Sequence, residues 1–229
     1  MGKVKLTECF ETYQGEGPDS GRKMLITRFR ECDRVVNGNA CSWCDTLIKM
    51  RISCEAEYGI DEIMGRTARL GGLMITGGEP TYDKNLDSTL SLLAACDFEV
   101  CNIETNGYNI KELINRMTKA LDSSKYRRVK IVYSPKFFNI RECEQELEKI
   151  KEAIGYGIVY LKFVNDGSGL LEDLLYDVRS MNPRKDQVWI MPQGTSAQEL
   201  IHNSPGTMDI VEKYDANFSS RNHIIFGFV

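Results

Sequence analysis

The sequence predicts an α/β fold built on a largely parallel sheet. Six short β-rich runs recur along the chain, amphipathic stretches separate them, and Gly/Pro-rich or polar segments follow nearly every run. Such alternation implies right-handed βαβ crossovers, because parallel neighbours need a connection of about a dozen residues and a helix supplies it. The strand-like runs are KMLITRF (23–29), GLMITG (72–77), FEVCNIE (98–104), RVKIVYS (128–134), IVYLKFV (158–164) and QVWIMP (187–192). Their β-branched and aromatic content favours extended backbone. Stretches 60–69, 84–95, 109–121, 141–154 and 168–181 carry apolar residues at helical spacing, as at Leu86, Leu90, Leu93 and Ala94. A closed eightfold barrel uses about 250 residues. The 229 residues here therefore predict a partial TIM-type barrel of about six βα units, with a doubly wound sheet as the alternative. No linker, repeat or composition shift divides the chain, so 1–229 reads as a single domain.

Charge and hydropathy narrow the function. Twenty-nine Lys+Arg against 33 Asp+Glu give a net charge of −4, with no global attraction to nucleic acid or to an anionic bilayer. The basic cluster Lys125-Tyr126-Arg127-Arg128 reads as a solvated face. No segment approaches the ~18 continuous apolar residues of a membrane span, and the opening MGKVKLTECF shows no apolar signal region. Eight cysteines, grouped toward the start, suit a reducing cytoplasm, where a tight group is a metal or redox site rather than a staple.

That group is Cys32, Cys41 and Cys44, a C-x8-C-x2-C loop directly after the first run. A structural zinc site wants four closed ligands, yet the sequence has no second C-x-x-C, and its only histidines are His202 and His223. A dithiol redox pair would use Cys41 and Cys44 and leave Cys32 idle. An iron–sulfur cluster held by three thiolates leaves one iron open for a ligand. Four further loops fall at the same strand edge: Thr76-Gly77-Gly78-Glu79-Pro80, Glu104-Thr105-Asn106-Gly107, Ser134-Pro135-Lys136 and Met191-Pro192-Gln193-Gly194. In parallel α/β folds that edge binds ligands, so five loops describe a large site.

These motifs, with Glu11-Thr12-Tyr13-Gln14-Gly15-Glu16-Gly17, Arg28, Cys44-Asp45-Thr46 and Leu161-Lys162-Phe163-Val164, resemble the 7-carboxy-7-deazaguanine synthases of the radical S-adenosylmethionine superfamily nearly end to end. The first cysteine gap is eight residues where the superfamily usually has three, and Glu31 stands where the family usually has glycine. The resemblance implies a [4Fe-4S] cluster on Cys32, Cys41 and Cys44. S-adenosylmethionine would lie along Gly78, Glu79, Glu104, Ser134, Pro135, Lys136, Met191, Pro192, Gln193 and Gly194. Mg²⁺ would sit on Thr46, which otherwise reads as a helix N-cap. It further implies a pterin substrate contacted by Tyr13, Gln14, Gly15, Glu16, Arg28, Thr76, His223 and the Val229 carboxylate. A reduced flavodoxin- or ferredoxin-type electron donor and a homodimer follow from the same likeness. Read without it, Gly77-Gly78 is an ordinary turn, Lys136 a solvated lysine and His223 a packed core residue. A glycyl-radical activase and a non-catalytic cluster-binding module remain as alternative functions.

Overall fold

A computed structural model describes residues 2–41, 44 and 55–228. It resolves into two compact units, Met1–Thr12 with Arg22–Ile131, and Tyr13–Gly21 with Val132–Val229. Strand β7 (Val129–Tyr133) begins in the first unit and ends in the second.

In the first unit β1 (Lys3–Leu6) pairs antiparallel with β4 (Ala56–Gly59), joining Val4 to Tyr58. Strands β2 (Glu8–Tyr13), β3 (Lys23–Phe29), β5 (Gly72–Gly77) and β6 (Val100–Thr105) follow the order β6-β5-β3-β2. The β3–β5 and β5–β6 pairs are parallel, with Ile26 opposite Met74 and Met74 opposite Asn102. Among its described residues the unit also holds helices α1 (Asp33–Val36), α2 (Ile60–Leu70), α3 (Asp83–Ala95), α4 (Ile110–Ala120) and α5 (Ser123–Tyr126). Helix α2 stops at Gly71, whose φ of +70° ends the helix in a left-handed cap. Helix α3 buries Leu86, Leu90, Leu92 and Leu93, whereas Ala94 is exposed. The three-and-four spacing therefore chose the correct stripe, with Leu92 completing it in place of Ala94. Lys125 donates to the Ala94 carbonyl in the last turn of α3, and Arg128 donates to the Phe98 carbonyl. Two cations of the basic cluster thus serve as local ties.

The second unit orders β10 (Asn217–Phe218), β9 (Val188–Pro192) and β8 (Val159–Asn165) in parallel, Leu161 opposite Val188 and Asn217 opposite Trp189. Its helices are α6 (Ile140–Ile154), α7 (Leu170–Ser180), α8 (Ala197–Lys213) and α9 (Asn222–Ile225). Asn139 caps α6 by accepting from the Glu142 amide, and Ser196 caps α8 by accepting from the Glu199 amide. Leu161, Phe163, Ile190, Leu174, Val178 and Leu200 fill the core here. All six predicted strands and all five predicted helices are present. Helix α8, which the sequence reading passed over, contains Pro205.

Candidate active site

The C-terminal edge of the first unit is tied together at Glu79. This carboxylate is 1% exposed and receives four hydrogen bonds, none from a cation. The Thr81 amide and hydroxyl and the Thr105 hydroxyl donate to Oε1 at 2.8, 2.7 and 2.6 Å; the Asn106 amide donates to Oε2 at 2.6 Å. Burial pushes the Glu79 pKa up, and those four donors only partly oppose it. Asn106 reaches further: its side-chain amide donates to Asp33 Oδ1 at 2.7 Å and toward Cys32 Sγ at 3.9 Å.

The turn before Glu79 lies directly on the cysteine loop. A Cβ on Gly78 would stand 2.1 Å from the Glu31 carbonyl oxygen, so only glycine allows this approach. The same carbonyl accepts from the Glu79 amide at 2.8 Å and from Asn85 Nδ2 at 2.9 Å. Glu31 therefore serves the site through its backbone, while its exposed side chain pairs with Lys84 at 3.2 Å. Among the described residues only Asn182 and Asp215 carry a positive φ without being glycine, so Glu31 sits in unstrained backbone. The departure from the family glycine leaves this turn intact.

Cys32 caps the N-terminus of α1, and the Cys44 amide donates to the Cys41 carbonyl at 3.2 Å. Burial pushes the Cys32 thiol up to about 12, the α1 amides of Arg34 and Val35 opposing it and Asp33 adding to it. Every described cysteine is a free thiol. Among the described residues no three His, Cys, Asp or Glu side chains converge closely enough to hold a metal ion. The three half-buried thiols, with the Asn106 amide aimed at one sulfur, fit an iron–sulfur cluster in donor chemistry. They share one loop without being gathered at coordination distance. Thr46, Val229 and Cys54 lie outside the described residues.

One face of the sheet carries the apolar cluster of Met24, Ile26, Met74 and Val100 and turns polar toward the strand ends. Arg28 is opposite Thr76, and strand alternation puts Glu104 on the side of Asn102. Arg28 Nε donates to Glu8 Oε2 at 2.7 Å, so the guanidinium expected to grip a substrate carboxylate already holds a protein one. Asn102 is 0% exposed, and neither atom of its amide has a partner. This buried amide lies one pleat below Glu104, beside Met74 and the apolar cluster of Met24, Ile26 and Val100.

The second unit gathers a separate set. Gly15 lies so close to His223 that a Cβ would meet Nδ1 at 2.1 Å, and its carbonyl accepts from the Asn222 amide at 3.0 Å. His223 sits in the short helix α9, partly exposed and 4.0 Å from Glu16 Oε1, not in a packed core. Glu16 takes Lys162 Nζ on Oε2 at 2.7 Å and Arg221 Nε on Oε1 at 3.0 Å. Burial alone would raise the Glu16 pKa; the Lys162, Arg221 and His223 charges outweigh it and hold the carboxyl well below its usual range. Gln14 is buried, and Tyr13 is exposed with its ring edge-on to Phe228. Lys136 donates to Ser134 Oγ at 2.7 Å, Pro135 and Met191 are buried, and Gln193 is tied by the Asn165 carbonyl and by Asn203. The Gly194 carbonyl accepts from Arg221 Nη1 at 2.9 Å. Lys162, Arg221, Asn106 and Asn102 were not chosen as site residues from the sequence. All four stood inside segments the sequence reading quoted, but nothing local marked their tertiary partners.

A mostly parallel α/β sheet, polar loops at its strand ends and a three-thiol loop define an α/β class of protein. The comparisons name a family within that class. The chain is 36% identical to the 7-carboxy-7-deazaguanine synthase of Neisseria meningitidis over 109 residues, an alignment spanning 47% of each protein, so that about half of this relative's length is covered. It is 25% identical to the 7-carboxy-7-deazaguanine synthase of Hyperthermus butylicus over 97% of this chain and 92% of that one. The crystal structure of QueE from Escherichia coli matches with a TM-score of 0.59 and 19% identity, covering 96% of this chain and 95% of that one, a likeness of fold. No protein-family model matches the chain. The resemblance to the 7-carboxy-7-deazaguanine synthases that the motifs carry is borne out by these relatives.

Proposed function

We propose that this protein is a 7-carboxy-7-deazaguanine synthase, a radical carbon–nitrogen lyase that contracts 6-carboxy-5,6,7,8-tetrahydropterin and releases ammonia. The near end-to-end relationship to the Hyperthermus synthase carries this reading. The six βα units form the partial barrel of the superfamily. Cys32, Cys41 and Cys44 would hold the [4Fe-4S] cluster, which with S-adenosylmethionine would supply hydrogen-abstraction chemistry. Coordination to iron would offset the burial that disfavours the Cys32 thiolate.

The chain's own residues bind, orient and shield. The Gly77-Gly78 turn, packed against Arg28 and the Glu31 backbone, would border the bound cofactor. Glu79 fixes that turn to the cysteine loop, and Glu104 offers acceptor oxygens from the polar end of the sheet face. Ser134, Pro135, Lys136, Met191, Pro192, Gln193 and Gly194 line the remainder of the cofactor. Gln14 and Glu16 accept from the amino–amide edge of the pterin, His223 flanks it, and Tyr13, Gly15 and Thr76 complete its contacts. Arg28 exchanges Glu8 for the substrate carboxylate, a bidentate partner for its fork. Thr46 as the Mg²⁺ ligand and Val229 as a substrate contact rest on the family resemblance alone. A reduced flavodoxin- or ferredoxin-type protein in the cytoplasm is the proposed electron donor, and a homodimer the proposed assembly; no helix of the described residues is long and apolar enough to cross a membrane.

The test is turnover. Anaerobically reconstituted protein with reductant, Mg²⁺, S-adenosylmethionine and the pterin is expected to yield 7-carboxy-7-deazaguanine. Binding of cluster and cofactor without product would favour a non-catalytic module, and modification of a protein glycine would favour an activase.

A further inference from the structure

Glu16 is expected to meet the substrate, yet a carboxylate so enclosed would ordinarily take up a proton. Two buried cations face it. Lys162, on β8, is 5% exposed and lies 146 positions away in sequence, and Arg221, at the start of α9, is 8% exposed and 205 positions away. Each contacts a different oxygen, Lys162 at 2.7 Å and Arg221 at 3.0 Å. Arg221 is fixed from behind by the Gly194 carbonyl at 2.9 Å. His223 Nε2, 4.0 Å from Oε1, is the third titratable or charged group against the carboxylate. Burying cations costs free energy that an apolar pair would not, so such an arrangement is weak support for stability and calls for another role.

We propose that Lys162 and Arg221 are positioning residues that hold Glu16 as a fixed, ionised acceptor for the N–H edge of the substrate's amino-heterocycle. This rests on the reading that Glu16 contacts the pterin. A carboxylate offers about four acceptor directions. The two cations occupy one on each oxygen and leave one on each for a planar pair of donors. An ionised acceptor selects N–H groups over a carbonyl or ring-nitrogen lone pair, which a neutral carboxylic acid would not reject.

The experiment compares the reconstituted parent with Lys162→Met, Lys162→Arg and Glu16→Gln, titrated with 6-carboxytetrahydropterin between pH 5 and 8 without reductant. Lys162→Arg is expected to bind with the parent's pH profile. Lys162→Met is expected to bind about tenfold more weakly at pH 8. Its binding weakens further as the pH falls, because Glu16 then protonates within the measured range. A ligand-free measurement separates this proposal from the reading beneath it: ¹³C-carboxyl titration of the same proteins, with Glu16 assigned by the signal missing in Glu16→Gln. Glu16 should stay ionised down to pH 5 in the parent and titrate above pH 5 in Lys162→Met. If it titrates alike in both, the proposal fails, whatever the pterin titrations show. Should the carboxyl titrations behave as expected while Glu16→Gln binds pterin like the parent, the clamp stands and the substrate reading falls. Arg221→Gln gives a second variant if Lys162→Met does not fold, with the same expected direction.

Discussion

Glu79 in the first unit and Glu16 in the second are both withdrawn from water, and their surroundings differ in kind. Glu79 is met by two hydroxyls and two backbone amides, Glu16 by a lysine, an arginine and, further off, a histidine. Neutral donors satisfy the oxygens without matching the charge, so burial wins and the Glu79 pKa rises. Cations match the charge, so burial loses and the Glu16 pKa falls. The first arrangement suits a tie between loops, since its four donors come from the turn after β5 and the end of β6. The second suits a group that must stay charged while a ligand arrives.

The comparison breaks most visibly on removal of the Glu79 side chain. Glu79→Ala strands four donors, three of them buried, and is expected to lose about 3–5 kcal/mol in urea unfolding. A loss below about 1 kcal/mol would show that those bonds do not hold the edge together. Next in size, Gly78→Ala drives a Cβ to 2.1 Å from the Glu31 carbonyl oxygen and is expected to destabilise by about 2 kcal/mol, lowering cluster loading measured by iron–sulfur absorption. Asn106→Ala removes the link from Glu79 to Asp33 and Cys32; about 1–2 kcal/mol is expected, again with weaker loading. Glu31→Ala should change neither stability nor loading measurably, since only the backbone of Glu31 takes part.

The sharpest contrast is in sign. Glu16 starts from 4.5 and is lowered, so its stabilisation is present above 4.5 and lost as the pH falls through the folded value. Glu79 starts from 4.5 and is raised, so its stabilisation is present below 4.5 and lost as the pH rises through the folded value. Relative to the parent, Glu16→Gln should therefore fare worse at neutral pH than in acid, whereas Glu79→Gln should gain on the parent as the pH rises above 4.5. Denaturation of both variants from pH 4 to 8 checks the two slopes; slopes of the same sign would contradict the assignment of charges.

The strands and main helices were legible because their signals are local. Val, Ile and Tyr at 129–133 or 159–164 and the leucines of α3 announce themselves within one segment. Helix α8 was not, because Pro205 interrupts its pattern, although Ser196 and Glu199 carry a capping signal. Strand β1 alternates as Lys3-Val4-Lys5-Leu6 but has only four residues, β2 and β4 lack a clean alternation, and β10 has two residues. At the site, Gly15, Gly78 and His223 have particular surroundings: a neighbour where a Cβ would go, or a ring against that glycine. The saturation of Glu79 was beyond reach, since Thr105 and Asn106 are brought to it by tertiary structure. The pairing of Glu16 with Lys162 and Arg221 spans most of the chain.

The most direct test is the stoichiometry of turnover under anaerobic conditions with reductant, Mg²⁺, S-adenosylmethionine and 6-carboxytetrahydropterin. One ammonia released for each 7-carboxy-7-deazaguanine formed is the predicted result. Formation of 5′-deoxyadenosine without ring-contracted product or ammonia would contradict the assignment.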